Sequence, residues 1–185
     1  MAQAQTQAPQ EASKYPDKGI KVVKSVTINR PIEELYAFWH DPTNYPTVMD
    51  YVESVQITGD KTAHWTIKLP GDIKSEFDVE VYTDVPNEVI SWRSLEGSEI
   101  QNAGSVRFQP APPERGNEVQ LTVEFVPPAG KIGQALAKLL GDVPAQYIAK
   151  YLYQFKQKME AGEVATTEGQ SSGRKEAEKD GEVSK

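Results

Sequence analysis

The apolar residues of this chain switch to a period of two at Tyr51 and keep it until Pro127. Trp65, Ile67 and Leu69 alternate with His64, Thr66 and Lys68, and Phe77, Val79 and Val81 alternate with Asp78, Glu80 and Tyr82. Val119, Leu121, Val123 and Phe125 alternate with Gln120, Thr122 and Glu124. Such alternation buries one face of a strand and wets the other. Shorter apolar stretches at 52–58, 89–92 and 105–109 complete the run of strands. Gly59-Asp60, Pro70-Gly71-Asp72 and Val85-Pro86-Asn87 are turn sequences, and the hairpins they predict make neighbouring strands antiparallel. A run of six strands in one sheet tends to curl.

Both flanks of this run are helical. Residues 22–29 are dense in β-branched side chains and suit one more strand. Pro31 then opens a helix, with Glu33 and Glu34 at the positive end of its dipole. His40-Asp41-Pro42 closes it, because the residue before proline avoids the α region. A helical turn is expected near 43–48. After Pro127, Leu136 and Leu140 share a helical face that ends at Gly141. Pro144 starts a longer helix, on which Tyr147, Ile148, Tyr151, Leu152, Phe155 and Met159 recur at spacings of three and four. Lys150, Lys156 and Lys158 take its other side. A long amphipathic helix needs an apolar surface, and the concave face of a curled sheet provides one. The fold class is α+β, with two short helices between the first two strands.

Composition removes whole classes of function. The 185 residues carry a formal charge of −7, a poor match for general nucleic-acid binding. There is no cysteine and there are two histidines, which leaves little material for a metal site. No cofactor is implied. No apolar run is long enough to span a bilayer, and MAQAQTQAPQ has neither a basic nor an apolar leader region. The expected location is cytoplasmic, with peripheral contact to a membrane still compatible. Residues 1–19 and 161–185 are poor in large apolar side chains and read as disordered tails, leaving 20–160 as one domain.

Three stretches carry a family resemblance: KSVTINRPIEELYAFWHDPTNYPTVMDYVESV, HWTIK, and NEVISWRSLEGSEIQNAGSVRFQPAP. In this order they resemble the START-like (SRPBCC) helix-grip superfamily. That superfamily includes birch-pollen-allergen-like (Bet v 1-like) proteins, polyketide cyclase/dehydrase domains and a coenzyme-Q-binding START-type branch. The resemblance implies a curled antiparallel sheet of about seven strands wrapped round a long C-terminal helix. It also implies an elongated apolar cavity between sheet and helix.

The residues expected to line such a cavity are those on inward strand positions and on the apolar faces of the helices. From the strands these are Trp65, Ile67, Phe77, Val79, Trp92 and Phe108, followed by Leu121 and Val123. From the helices they are Leu136, Tyr147 and Tyr151. A packed core would use the same positions. Neither His40 nor His64 sits in a pattern that specifies a general base. Glu76, Asp78 and Glu80 form an acidic row on the face opposite Phe77, where solvent is the expected neighbour. The leading reading is a non-enzymatic binder or carrier of a hydrophobic small molecule: a lipid, a quinone or a polyketide-like aromatic. The Asn44–Met49 segment and the Gly97–Gly104 loop would gate it. An enzyme of the cyclase/dehydrase kind, and an interaction module with a collapsed cavity, are the alternatives. The sequence leaves the oligomeric state open.

Removing residues 1–18 and 163–185 should leave the thermal transition in place. A fall in Tm of more than about 5 °C, roughly 1 kcal/mol for a domain of this size, would show that an end docks on the body.

Overall fold

The computed structural model describes residues 19–162. Strand β1 (Ile20–Ile28) leads into helix α1 (Ile32–His40) and a 3-10 turn at Pro42–Thr47. The sheet continues with β2 (Val52–Ile57), β3 (Thr62–Leu69), β4 (Ile73–Val85), β5 (Val89–Ser94), β6 (Gln101–Pro110) and β7 (Asn117–Val126). Helices α2 (Gly130–Leu140) and α3 (Pro144–Ala161) follow. The seven strands form one sheet in the order β1-β7-β6-β5-β4-β3-β2, and every neighbouring pair is antiparallel. This is the α+β helix-grip arrangement. The first strand pairs with the last, Val22 opposite Val123, so β1 and β2 form the two edges and the helices lie across the curl. Among the described residues, no helix is long and apolar enough to cross a membrane.

Local chemistry sets the element ends. Asp41 caps the 3-10 turn: its carboxylate accepts from the Thr43 amide at 3.0 Å and from the Thr43 hydroxyl at 2.6 Å. Gly162 ends α3 in the left-handed conformation, and its amide donates to the Lys158 carbonyl. Gly116 is required by a close approach. It has φ +90, and any side chain there would run into the carbonyl of Ile28.

Helix α3 lies across the concave face. Phe155 is fully buried, 4.9 Å between ring centres from Phe38 and 5.3 Å from Trp39. The helix is also tied to β1: Lys156 donates to the Thr27 carbonyl at 2.6 Å, and Glu160 accepts from the Asn29 amide at 2.9 Å. The convex face carries the acidic row. His64 pairs with Asp78 at 2.9 Å, and Arg93 pairs with Glu80 at 2.5 Å.

Three local expectations change. Strands β4 and β6 run further than the alternation indicated. Gly104 consequently lies inside β6, opposite Trp92 and Val123, and not in a loop at the mouth. On β7 the outward position Glu124 is buried, with 6% exposure. Helix α3 reaches Ala161, one residue into the expected tail. Apart from Gly19, Ala161 and Gly162, the two expected disordered segments lie outside the described residues.

Because Phe155 joins α3 to both large rings of α1, Phe155→Ala should cost about 3–5 kcal/mol in urea unfolding. A loss below about 1 kcal/mol would mean that α3 is not seated on that aromatic pair.

Candidate functional site: an apolar cavity under the C-terminal helices

Between the sheet and the C-terminal helices lies a cavity of about 120 Å³. Strand alternation aims Trp65 and Ile67 of β3, and Phe77 and Val79 of β4, at it. Trp92 of β5 and Leu121 and Val123 of β7 form the middle of the sheet wall. The helices close it with Leu136 of α2 and with Tyr147 and Tyr151 of α3. Ten of the residues expected at the cavity therefore meet there.

Phe108 does not, and that expectation is corrected. It faces the concave side and is buried, but it sits toward the end of β6 beneath α1, in edge contact with the ring of Tyr36 at 5.9 Å. The period of two selects a face of the sheet. It does not say which length of that face a helix fills.

Gly104 explains how Trp92 fits. A Cβ at Gly104 would collide with the indole of Trp92 and with the carbonyl of Thr122. The bare backbone lets the indole lie against β6 instead of projecting across the cavity.

Sequence reasoning missed several lining residues, notably Asn102 and Tyr51. The signal for Asn102 was present: the parity of Phe108 and Val106, carried back through Gly104, reaches it. Tyr51 carried no such signal, because it precedes the strand. Met49 and Tyr45 of the segment expected to gate the cavity also line it.

The cavity contains no charged side chain among its lining residues. Its polar points are the Asn102 amide, the Tyr45 hydroxyl, the indole N–H groups of its tryptophans and a cluster of three tyrosines. Tyr151 packs 5.3 Å from Tyr51 and 4.8 Å from Tyr147, between ring centres. The Tyr151 hydroxyl donates to Asp50 at 2.6 Å, and Lys150 donates to the other oxygen of Asp50 at 3.0 Å. The Tyr147 hydroxyl lies close enough to perturb this pair but makes no well-shaped hydrogen bond itself. Burial pushes the Tyr147 phenol up to about 12. It pushes Tyr51 and Tyr151 up as well, and the bond to Asp50 raises Tyr151 further. These phenols stay protonated near neutral pH, so they serve as hydrogen-bonding groups and not as bases. Burial alone would raise Asp50. The hydrogen bonds from Tyr151 and Lys150 outweigh it and hold the carboxyl below its ordinary value.

Among the described residues no cluster of three or more His, Asp or Glu side chains is placed to hold a metal ion. Neither histidine lines the cavity.

Asp50 joins the start of β2 to α3, so its loss should be felt as stability. Its folded pKa is depressed, so its contribution is full above the ordinary carboxylate range and fades as pH falls through the folded value. Asp50→Asn should cost about 1 kcal/mol at neutral pH, a value discounted for the exposure of the carboxylate. The gap between the two proteins in urea unfolding should narrow in acid. A gap of constant size down to strong acid would show that Asp50 acts by some route other than its charge.

Comparison with known proteins places this geometry. Residues 28–150 match the family described as "Polyketide cyclase / dehydrase and lipid transport". An uncharacterized 17.2 kDa protein of Streptomyces lincolnensis is 29% identical over 118 residues, which is 63% of this chain and 77% of that protein. The crystal structure of a Deinococcus radiodurans protein superposes with a TM-score of 0.63 at 33% identity, over 77% of this chain and 99% of the other. A Streptomyces aromatase/cyclase, named Zhui, shares the fold with a TM-score of 0.55 at 17% identity, over 78% of this chain and 98% of the other. With its helix-grip sheet and a family match over most of the described residues, this chain belongs to the polyketide cyclase/dehydrase and lipid transport family.

Proposed function

We propose that the protein binds and carries a hydrophobic small molecule in the cavity between the sheet and the C-terminal helices, without transforming it. The observation that supports this is the character of the cavity: a wall of apolar and aromatic side chains, a few neutral polar points and no charged group. Burial of ligand apolar surface supplies the binding energy, about 25 cal/mol per Å². General-base chemistry needs a group within reach of the reacting atom that can take up a proton, and the phenols of the lining already hold theirs. Carriage is therefore preferred to a cyclase/dehydrase reaction. A cavity volume of about 120 Å³ is below the range of about 300–1,000 Å³ usual for drug-sized ligands. As it stands it takes a compact ring, such as a quinone head, or one end of a lipid chain. The tyrosine cluster would receive the polar end. A cytoplasmic setting, with transient contact to a membrane surface for loading, goes with this reading.

Native mass spectrometry of the purified protein should show a co-purified mass in the lipid or quinone range. The fluorescence of anilinonaphthalene sulfonate should rise on binding, and a competing quinone or fatty acid should reverse it. Leu136→Trp, which fills the cavity, should abolish the response at a stability cost of about 1–3 kcal/mol. A folded wild type that neither retains a ligand nor brightens the probe would leave the interaction-module reading as the better one.

A further inference from the structure

The charge of the described chain is split between its two layers. Residues 20–129, the sheet with α1, carry nine basic and seventeen acidic residues, a formal −8. Residues 130–162, the C-terminal helices and the corner between them, carry five lysines against Asp142 and Glu160, a formal +3. An uneven field of this kind turns the helices, and not the sheet, toward an anionic partner.

The cations stand on the outward side of the helices. Helix α2 lines the cavity with Leu136, Leu139 and Leu140, and its opposite stripe is Lys131, Gln134 and Lys138, all exposed. Helix α3 lines the cavity with Tyr147, Ile148 and Tyr151 and exposes Gln146, Lys150 and Tyr153. Lys150 is engaged by Asp50, whereas Lys131 and Lys138 form no ion pair among the described residues. Two apolar side chains project from the same layer: Val143 at the corner, 46% exposed, and Tyr153 on the stripe, 58% exposed. Tyrosine suits a bilayer interface, where its ring meets the tails and its hydroxyl stays wet. Lysine carries its charge to the headgroups on an apolar stem. On the sheet side the exposed apolar residues stand beside acids, Ile57 near Asp60 and Val85 next to Asp84.

We propose that the outer face of α2 and α3, from Lys131 through Val143 to Tyr153, is a docking surface for an anionic lipid membrane. The inference rests on the carriage reading, because this layer is the roof of the cavity. Docking here sets that roof against the bilayer that supplies or receives the ligand. Attraction between the lysines and the headgroups brings the face down, and Val143 enters the interface. So few lysines give only a modest, salt-sensitive attraction, and the acidic sheet is repelled, so the contact releases readily.

The test is sedimentation of the full chain with vesicles of phosphatidylglycerol alone or of phosphatidylcholine alone, at low and at high salt. The protein should bind phosphatidylglycerol at low salt despite its net charge of −7, release it at high salt, and ignore phosphatidylcholine. Lys131→Gln combined with Lys138→Gln should weaken binding about thirtyfold. Lys68→Gln combined with Lys74→Gln makes the same change of charge on the sheet and should leave binding unchanged. The chain has no cysteine, so Val143→Cys and Val85→Cys each accept a single environment-sensitive fluorophore. The label at 143 should shift to the blue on the vesicles, and the label at 85 should not. A wild type that does not bind at low salt, equal binding to the two lipids, or equal effects of the two lysine pairs would each overturn the proposal. A label at 143 that stays in water, together with displacement of the vesicles by polyaspartate, would overturn it in favour of an acidic protein partner. Anilinonaphthalene sulfonate, added to the same proteins without vesicles, reports the cavity separately. A probe that brightens on a protein that ignores the vesicles removes the membrane face and keeps carriage, and the converse result keeps the membrane face and removes carriage.

Discussion

The seating of α3 in the curl of the sheet is the contact on which the rest of the molecule depends. A seven-stranded antiparallel sheet with one apolar face cannot leave that face in water. Phe155 meets Phe38 and Trp39 at the centre of the covered face, and Lys156 and Glu160 tie the same helix to the end of β1. Those contacts set the distance between helix and sheet at one end. At the other end the sheet continues past the aromatic seat, and the space left over is the cavity. Its existence follows from geometry: a straight helix cannot follow a curled sheet along its whole length.

Large side chains then crowd the interior. Trp65 comes from β3 and Trp92 from β5, with β4 between them, and Trp39 comes from α1 to meet Trp65 through Tyr45, whose hydroxyl donates to the Trp39 carbonyl at 2.6 Å. All four rings line the cavity, and they also line the cleft between α1 and the β2–β3 hairpin. Gly104 makes room on the sheet side, because the indole of Trp92 rests where a Cβ would otherwise be. Close packing of this kind makes the volume of the cavity sensitive to a single methylene.

The cavity and the cleft beside α1 differ in their electrostatics. The first has no charged lining, and its phenols are kept neutral by burial. The cleft carries Asp41, Asp60, Lys61 and Asp84 among its lining residues, and His40 lies 3.0 Å from the Asp84 carboxylate.

Much of this was legible in the residues. The period of two placed Trp65, Ile67, Phe77, Val79, Trp92, Leu121 and Val123 on one face, and the spacing of three and four placed Tyr147 and Tyr151 on another. Proline and glycine marked where α1, α2 and α3 begin or end. These are local properties, fixed by backbone geometry within a few residues. What the tertiary structure alone decided is how the faces meet: β1 beside β7, Phe108 under α1 and away from the cavity, Asn102 and Tyr51 at it, and Glu124 buried on the outer face. It also decided the convergence of Tyr36 and His40 with Asp84, 48 positions from Tyr36. Periodicity cannot carry such information, because it repeats the same face at every second residue and says nothing of how far along a strand its partners lie. Distances between elements are set by packing, and packing is a property of the assembled chain.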